Sequence, residues 1–459
     1  MKFKKLTAAL MAAVLMASVF AGCGSQNAGD ASSSQSSDTT TAAASVETTT
    51  AAATEPAKTV ELEYWYGLGG KLGDTMKGLI DSFNSSQKAY KVNGVAQGSY
   101  DETYQALQAA IASGSAPGCF LTTSPIVNTL AQKNVAENVK PFIDKDSGFN
   151  LDDFIQPFLP PAQINGGLYG LPAYGTTQVL YYRKDLFEKK GISPDVLNSW
   201  ESLEKAAAQL AEKNDGTTSF YGWEPMWGSE NLVDAVFSAG GTVLSADGKT
   251  VVIDDKIWVD TWEYFRRNIF DSKTMRIHSG GQGWEYWYKT IDDVLQGKAA
   301  GYTGSSGDQG DLDFNLVSSH EQPGWNGNPG KPSASALFLA IPAAAKAEQK
   351  QGAFDWMKFF TNADNTGSWS MNTGYIPVRL SSQEAPAYKD YLGKNPQAGI
   401  PLSQASHATP VFLDPTGGKI TDAISKACDK VEIENTPAEK ALKEAKAEAQ
   451  KALDAVLGK

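Results

Sequence analysis

Apolar and polar residues alternate over residues 60–65, and this period of two predicts a strand with one buried face. Apolar side chains then recur at helical spacing between residues 74 and 83. The same order of strand and helix repeats over residues 90–111 and again over residues 118–133. This repetition predicts a parallel sheet that is covered by helices on both faces.

Serine residues mark two of the predicted helix starts. Ser99 heads a capping-box pattern, and Ser199 precedes a helical pattern over residues 200–213. Later segments alternate between the two kinds of pattern, with helices predicted at 258–267 and 284–295 and strands at 179–182, 299–302 and 336–341. The returns to strand-like residues indicate that the chain crosses between two parts of the fold.

The end of the chain predicts the clearest helix. Residues 436–439 match a capping box with Pro437 at the first helical position. One stripe of the helix is apolar, formed by Leu442, Ala445, Ala449, Leu453 and Val456. A coiled-coil partner is the alternative, but three heptads at most favour packing on the helix's own domain.

The start of the chain has the layout of an export signal. Three lysines precede an almost wholly apolar run over residues 6–20, which is too short to span a bilayer comfortably. Phe20, Ala21 and Gly22 then lead into Cys23 and resemble the lipobox of bacterial lipoproteins. We expect acyl chains on Cys23 to hold the protein on a membrane. An ordinary signal peptide with a chance cysteine is the alternative.

Residues 24–57 are rich in Ser, Thr and Ala and have hardly any larger apolar side chain, which predicts a flexible tether. A random coil of this length reaches roughly 30 Å. The remaining residues are numerous enough for two domains. Only Cys119 and Cys428 are left besides Cys23, and either a disulfide between them or two buried thiols fits the sequence.

Charge excludes one class of partner. The formal net charge is −12, and it becomes about −15 once the signal segment with its three lysines is removed. An acidic body argues against nucleic acid as a partner and against a purely electrostatic membrane contact. The residues after the signal segment contain no apolar run long enough for a transmembrane helix, so we do not expect a permease.

Two sequence motifs of enzymes are nearly matched, but each lacks one required residue. Leu72 stands where a phosphate loop needs Ser or Thr, and the segment at residues 304–308 misses the nucleophile elbow by its last residue. The only three histidines, His278, His320 and His407, lack close metal-ligand spacing. We therefore expect no enzyme, no metal and no cofactor.

Aromatic residues are the more informative feature. Eleven Trp and seventeen Tyr can stack on sugar CH faces while nearby polar groups bind hydroxyls. Trp223 and Trp227 lie among Gly and Pro residues, so either core packing or ligand contact fits them. The aromatic residues at 284–288 lie in a helical pattern, which favours core packing.

Short motifs in a fixed order add a resemblance to a known family. They are Tyr64-Trp65, Gly98-Ser99-Tyr100, and the segments 112–117, 168–172, 179–182, 295–300 and 372–378. Over residues 60–457 they resemble the bacterial extracellular solute-binding proteins of the carbohydrate-uptake group, most of all the glycerol-3-phosphate and maltose-type binding proteins. The resemblance implies an α/β two-lobe periplasmic-binding-protein-like fold with hinge crossovers and a C-terminal helix.

The predicted boundaries follow from the signal, the tether and this fold. They are a signal peptide at 1–22, Cys23 and the tether at 23–57, the first part of the N-terminal lobe at 58–180 and the C-terminal lobe at 181–300. Residues 301–459 then recross the hinge and complete both lobes with the C-terminal helix.

The resemblance also implies ligand contacts, to which the loop tryptophans are added as candidates. The candidate ligand-binding residues are Tyr100, Ser124, Thr176, Thr177, Trp223, Trp227, Gly304, Ser305, Ser306, Ala334 through its backbone, and Tyr375. Two of the implied positions depart from the glycerol-3-phosphate branch, because Ser124 replaces an acidic residue and residues 419–421 lack the Arg that would clamp a phosphate. A neutral mono- or oligosaccharide is therefore the first choice, although Lys419 could act as a point charge for a phosphate.

The expected function is that of a lipid-anchored extracytoplasmic monomer that captures a sugar or polyol and passes it to the membrane subunits of an ABC permease. Glycerol 3-phosphate or a glycerophosphodiester is the second choice of ligand. Three less favoured classes are an exported glycoside-processing enzyme, a peptide or polyamine receptor, and a surface adhesin or carrier for a chemoreceptor.

Overall fold

The alternating segment at residues 60–65 forms the first strand, β1 (Val60–Tyr66), which buries Leu62, Tyr64 and Tyr66 and leaves the residues between them more exposed. The computed structural model describes residues 59–281 and 285–459. The predicted signal segment, Cys23, the tether and Trp284 lie outside the described residues.

Most strands are short, and the longest, β6, has thirteen residues. They are β1 (Val60–Tyr66), β2 (Tyr90–Ala96), β3 (Cys119–Thr123), β4 (Gln163–Ile164), β5 (Gly167–Leu168), β6 (Leu171–Arg183), β7 (Glu212–Asn214), β8 (Thr217–Phe220), β9 (Glu224–Pro225), β10 (Gly301–Ser305), β11 (Val317–His320), β12 (Ser333–Ala340) and β13 (Thr409–Pro410).

The helices cover most of the remaining chain. They are α1 (Gly70–Ser86), α2 (Tyr100–Ser113), α3 (Ser124–Gln132), α4 (Lys140–Lys145), α5 (Lys184–Lys190), α6 (Trp200–Leu210), α7 (Ser229–Ser238), α8 (Lys256–Arg266), α9 (Glu285–Leu295), α10 (Ala347–Phe360), α11 (Ala363–Thr373), α12 (Pro386–Lys394), α13 (Ile400–Ser406), α14 (Lys419–Glu432) and α15 (Ala438–Val456).

The main sheet is mixed. Its order is β2-β1-β3-β12-β6-β10-β9, with β2, β1 and β3 parallel, as the repeated strand–helix order predicts. β12 runs antiparallel to both β3 and β6, so the parallel prediction holds for the three strands on which it was based and does not extend to the rest of the sheet. β6 pairs with β12 through its first half and with β10 through its second half. This long strand therefore connects two parts of the fold.

The described residues form two large hydrophobic cores, one on each side of that connection, and a smaller third core that includes Tyr181 and Tyr302. One large core draws on residues 62–174 and 334–408 and contains Trp356 and Trp369; we call this part the N-terminal lobe. The other large core draws on residues 180–300 and 420–453 and contains Trp200, Trp258 and Trp262; we call it the C-terminal lobe. Each lobe thus buries its own set of large rings.

The helix caps agree with the sequence at two of three positions. Ser99 Oγ accepts a hydrogen bond from Glu102 N at 3.1 Å, and Ser199 Oγ accepts one from Ser202 N at 3.1 Å. α15 begins at Ala438 without a side-chain cap, so the predicted capping box does not form. α6 ends at Leu210, three residues before its predicted end, because β7 begins at Glu212 and pairs with β8.

The stripe of α15 packs on its own lobe, as predicted. Leu442, Ala445, Ala449 and Leu453 are buried in the core of the C-terminal lobe. Val456 is 56% exposed, so its predicted place in the stripe is wrong. Val456 is the last residue of α15, and at this point the helix extends beyond the core of the C-terminal lobe.

Both cysteines of the folded part are free and buried, which decides between the two alternatives in favour of thiols. Cys428 Sγ donates a hydrogen bond to Glu432 Oε2 at 3.1 Å. Within the described residues, no helix combines the length and the apolar character that crossing a membrane requires.

Candidate functional site

Three tyrosines meet at one edge of the N-terminal lobe, and we call Tyr100, Tyr174 and Tyr375 the tyrosine cluster. The hydroxyl oxygens of Tyr100 and Tyr174 are 2.8 Å apart, and the rings of Tyr174 and Tyr375 have centroids 4.9 Å apart. Burial raises the pKa of Tyr100 to about 12 and raises the pKa values of the other two. All three hydroxyls are therefore neutral at physiological pH and can donate or accept hydrogen bonds.

Tyr100 is placed by a close backbone approach. It is the first residue of α2, and the end of β1 packs directly against the residue before it. A Cβ atom at Gly67 would lie 2.1 Å from the carbonyl carbon of Ser99, so only glycine fits there. The chain thus fixes the start of α2, and with it the Tyr100 ring, against the sheet.

A turn rich in small polar residues faces the tyrosine cluster, and we call residues 305–310 the polar turn. Ser305 Oγ accepts a hydrogen bond from Gly307 N at 3.1 Å and lies 3.2 Å from Thr176 Oγ1. The ring of Tyr375 covers Gly307, because a Cβ atom there would be 2.9 Å from Cζ of the ring. The polar turn and the tyrosine cluster therefore contact each other where the two lobes meet.

The polar turn contains a buried carboxyl group, that of Asp308, which holds the turn in place by accepting hydrogen bonds. Asp308 accepts hydrogen bonds from Trp287 Nε1 at 2.8 Å and from the Tyr302 hydroxyl at 3.2 Å. Gly304 makes room for this arrangement, since a Cβ atom there would lie 2.5 Å from Asp308 Oδ2. Burial raises the pKa of Asp308 to about 8, which favours the neutral acid near pH 7.

The first turn of α9 adds aromatic rings from the C-terminal lobe, and we call residues 286–288 the aromatic turn. The Tyr286 ring meets Trp227 edge-on with centroids 4.8 Å apart. Tyr288 is 55% exposed. The prediction of core packing is wrong for Tyr288, because α9 leaves this side chain on the surface.

Six of the predicted ligand-binding residues come together around the contact between the polar turn and the tyrosine cluster, and we call this region the cleft. Direct contacts connect Tyr100, Thr176, Ser305, Ser306 and Tyr375, partly through Tyr174 and Gly307. Trp227 joins them through the aromatic turn and Asp308. Its indole also donates to Asp429 Oδ1 at 2.9 Å, which fixes the plane of the ring.

Two predicted residues use their hydroxyls within the fold. Ser124 is buried, and its Oγ donates to the Ala336 carbonyl at 2.8 Å. Thr177 Oγ1 donates to the Ser333 carbonyl at 2.8 Å and accepts from Gln404 Nε2 at 2.7 Å. These bonds hold α3 and β6 against β12, so the structure does not support a ligand contact by either side chain.

Three more predicted residues are buried in the fold. Trp223 is 1% exposed and donates from Nε1 to Thr303 Oγ1 at 3.0 Å, so of the two alternatives it is a core residue. Gly304 gives space to Tyr302 and Asp308. Ala334 is buried between Thr177 of β6 and Pro410 of β13, and its side chain faces away from solvent.

Four further residues in or near this region were not among the ligand-binding candidates predicted from the sequence. They are Tyr174, Asp308, Tyr288 and Lys71, whose Nζ would lie 3.8 Å from a Cβ atom at Gly310. Tyr174 precedes Thr176 by two positions on one strand, so period-two spacing could have identified it. The others come together only through the tertiary fold.

Within the described residues, one group has the composition of a metal site. Oxygen and nitrogen atoms of Glu224, His278 and Asp293 lie within 4.8 Å of one another. Arg276 donates hydrogen bonds to both carboxylates, and Lys298 lies 3.3 Å from Asp293. Because the two cations already balance the two carboxylates, the group is an ion-pair cluster and fits a divalent metal poorly.

Known structures share this arrangement of lobes. UgpB from Mycobacterium tuberculosis in complex with glycerophosphocholine superposes with a TM-score of 0.73 at 21% identity, covering 86% of this chain and 98% of that one. The sugar-binding protein MalE from Xanthomonas citri gives 0.74 at 17% identity, covering 86% and 98%. These likenesses confirm the predicted two-lobe α/β fold.

Sequence comparison gives relatives over most of the chain. The sn-glycerol-3-phosphate-binding periplasmic protein UgpB of Pectobacterium atrosepticum is 24% identical over 377 residues, which cover 76% of this chain and 80% of that protein. A family profile described as bacterial extracellular solute-binding protein matches residues 78–396. The chain therefore belongs to the family of bacterial extracellular solute-binding proteins.

Proposed function

We propose that this protein captures a mono- or oligosaccharide between the tyrosine cluster and the polar turn and delivers it to an ABC importer. One observation carries the proposal: the tyrosine rings of the N-terminal lobe meet the hydroxyl-rich turn that follows β10 at the contact between Tyr375 and Gly307. Closure of two lobes over a solute would bury it and create a shape that a permease recognises.

The chemistry of the cleft suits a neutral polyhydroxylated ligand. Tyrosine rings offer flat apolar faces, and the Thr176 and Ser305 hydroxyls can exchange hydrogen bonds with sugar hydroxyls. Asp308 on the polar turn is neutral near pH 7, Asp311 directly follows the turn, and Lys71 is the one cation among the cleft residues named above. A cleft of this charge favours a neutral ligand over a dianionic phosphate.

Glycerol 3-phosphate, or a diester of it, is the second candidate, because the relative from Pectobacterium atrosepticum is an sn-glycerol-3-phosphate-binding protein. The predicted phosphate contact at Lys419 is not supported. Lys419 begins α14 and lies in a shallow surface depression with Glu448 and Lys451 of α15. Lys71 remains the cation that could meet a phosphate in the cleft.

Isothermal titration of the purified full-length protein tests the proposal. The panel contains maltose, maltotriose, glycerol 3-phosphate and glycerophosphocholine. We expect one-to-one heat of binding with a sugar and little or none with the phosphates. Tighter binding of a phosphate than of any sugar would select the second candidate, and no binding across the panel would contradict both.

We also propose that the protein is extracytoplasmic and held to the membrane by acyl chains on Cys23, at the end of the tether of residues 24–57. Cells fed labelled palmitate should incorporate it into the wild type and not into a Cys23→Ser variant, since the thiol is the only attachment point that the lipobox offers. A Cys428→Ser variant is the matched control and should keep the label. Equal labelling of wild type and Cys23→Ser would contradict the anchor.

A further inference from the structure

The carboxyl group of Asp308 on the polar turn is buried without a cation as its partner. The residue is 5% exposed, and it accepts hydrogen bonds from two neutral side chains, those of Trp287 in α9 and Tyr302 in β10. The cation that α9 carries nearby, Lys289, pairs with Glu285 at 2.7 Å. Within the part of the chain that the structure describes, no lysine or arginine bonds to Asp308. Burial of a carboxylate without a cation is costly, so these surroundings favour the neutral acid.

The other titratable groups around Asp308 act in the same direction or stay neutral. Burial raises the pKa of Asp308 to about 8, and the neighbouring Asp311 adds to this rise. Tyr181 of β6 and Tyr375 remain uncharged, because burial raises the pKa values of both hydroxyls well above the ordinary value. Lys71 of α1 approaches only the end of the turn, where its Nζ would lie 3.8 Å from a Cβ atom on the last glycine.

The N-terminal lobe covers the polar turn on both sides of this carboxyl group. A Cβ atom at Gly374, which ends α11, would lie 3.2 Å from the backbone nitrogen of Gly310. The ring of Tyr375 covers Gly307 in the same way. The residues before and after Asp308 are thus covered by the other lobe. Separation of the lobes would uncover the turn and bring water closer to Asp308.

We propose that Asp308 takes up a proton when the lobes close over a ligand, so that the protein holds its ligand less tightly as the pH rises. The proposal rests on the function proposed above. A covered turn keeps the neutral acid, whereas an uncovered turn lets the group ionise at lower pH. Because the binding of the proton and of the ligand are linked, closure is favoured at low pH and loses this advantage as the pH rises toward about 8.

Isothermal titration of the full-length protein with its tightest ligand from the panel tests the proton uptake. At pH 6.5, the heats observed in phosphate and in imidazole buffer should differ in proportion to the ionisation heats of the two buffers. We expect this difference to correspond to about half a proton to one proton taken up per ligand. The dissociation constant should rise by up to about tenfold per pH unit between pH 6 and pH 8 and change little at higher pH.

Two variants assign the proton to its residue. Asp308→Asn should abolish the uptake and flatten the pH dependence of the affinity, because an amide does not titrate in this range. Glu432→Gln is the matched control, since Glu432 is also buried in the C-terminal lobe and burial raises its pKa to about 8. Its carboxyl group accepts from Cys428 within α14, so this variant should keep both the uptake and the pH dependence.

Hydrogen–deuterium exchange of the protein without ligand gives a second readout. Once the intrinsic pH dependence of exchange is divided out, the protection of residues 305–310 should fall between pH 6 and pH 8.5 in the wild type and in Glu432→Gln. It should stay constant in Asp308→Asn. If that variant does not fold, the wild-type uptake and protection decide the question.

The outcomes separate this proposal from the proposed function. Ligand binding without proton uptake, or uptake that persists in Asp308→Asn, would overturn the role of Asp308 while the proposed function stands. A wild type that binds nothing on the panel would contradict the proposed function. The exchange measurement would then decide the role of Asp308, and constant protection of residues 305–310 in the wild type would overturn it.

Discussion

A Tyr375→Ala variant should bind the tightest panel sugar about a hundredfold more weakly than the wild type, a loss of about 3 kcal/mol. The Tyr375 ring packs on Tyr174 and covers Gly307 of the polar turn, so it lies at the contact between the lobes. Removing the ring takes away a stacking surface for the ligand. It also breaks the contact between the tyrosine cluster and the polar turn, which we expect to form when the lobes close. Isothermal titration measures the loss.

Two variants separate this effect from general damage. Tyr375→Phe keeps the ring and should lose much less affinity than Tyr375→Ala. Tyr391→Ala removes a ring from α12 of the same lobe, where Tyr391 stacks on Tyr388 and not on the tyrosine cluster. Full affinity in Tyr375→Ala, or an equal loss in Tyr391→Ala, would show that the cleft is not the binding site.

An Asp234→Ala variant should be destabilised by about 4 kcal/mol at pH 5.5. Asp234 lies on α7 of the C-terminal lobe and accepts hydrogen bonds from Ser333 N at 2.8 Å, Ser333 Oγ at 2.6 Å and Gln322 Nε2 at 3.0 Å. All three donors belong to the chain that enters β12 of the N-terminal lobe. Without Asp234, the half-buried Ser333 donors and the buried Gln322 amide lose an acceptor at the connection between the lobes.

The loss should shrink as the pH rises. Burial raises the pKa of Asp234 to about 7, so the folded chain keeps a proton that the unfolded chain releases near pH 4. The contribution of this group to stability is therefore largest at low pH and falls as the pH rises toward 7. Urea unfolding at pH 5.5 and pH 8 should show the destabilisation falling by about 2 kcal/mol.

Asp247 is the matched control for Asp234. It also accepts from a serine hydroxyl and a backbone N–H, at 2.7 and 3.1 Å, but in an exposed turn. Water can replace these bonds, so Asp247→Ala should cost less than about 1 kcal/mol. An equal cost for both variants, or a cost for Asp234→Ala that grows with pH, would contradict the role given to Asp234.

Local patterns predicted local structure well. The alternation in β1 and the serine caps of α2 and α6 depend on neighbouring residues, so they can be inferred from short stretches of sequence. The antiparallel direction of β12 could not be inferred, because it depends on pairing with β3 and β6, which are more than 150 residues away in sequence. Period-two spacing indicates a strand but not its direction.

Some features of the candidate site could likewise be predicted from the sequence and others could not. The resemblance supplied Tyr100, Thr176, Ser305 and Tyr375, which the fold brings together. It could not show that Ser124 and Thr177 use their hydroxyls in bonds to β12, because this depends on which face of each element is covered. Tyr288 was misjudged for the related reason that aromatic residues in a helix usually pack in a core.

A crystal structure with the tightest panel sugar bound is the most direct test of the central claim that the ligand lies between the lobes. We predict density for the sugar within about 4 Å of Tyr375, with hydrogen bonds to Thr176 or Ser305. Density on the surface of a single lobe, with the tyrosine cluster and the polar turn still in contact and no ligand between them, would contradict it.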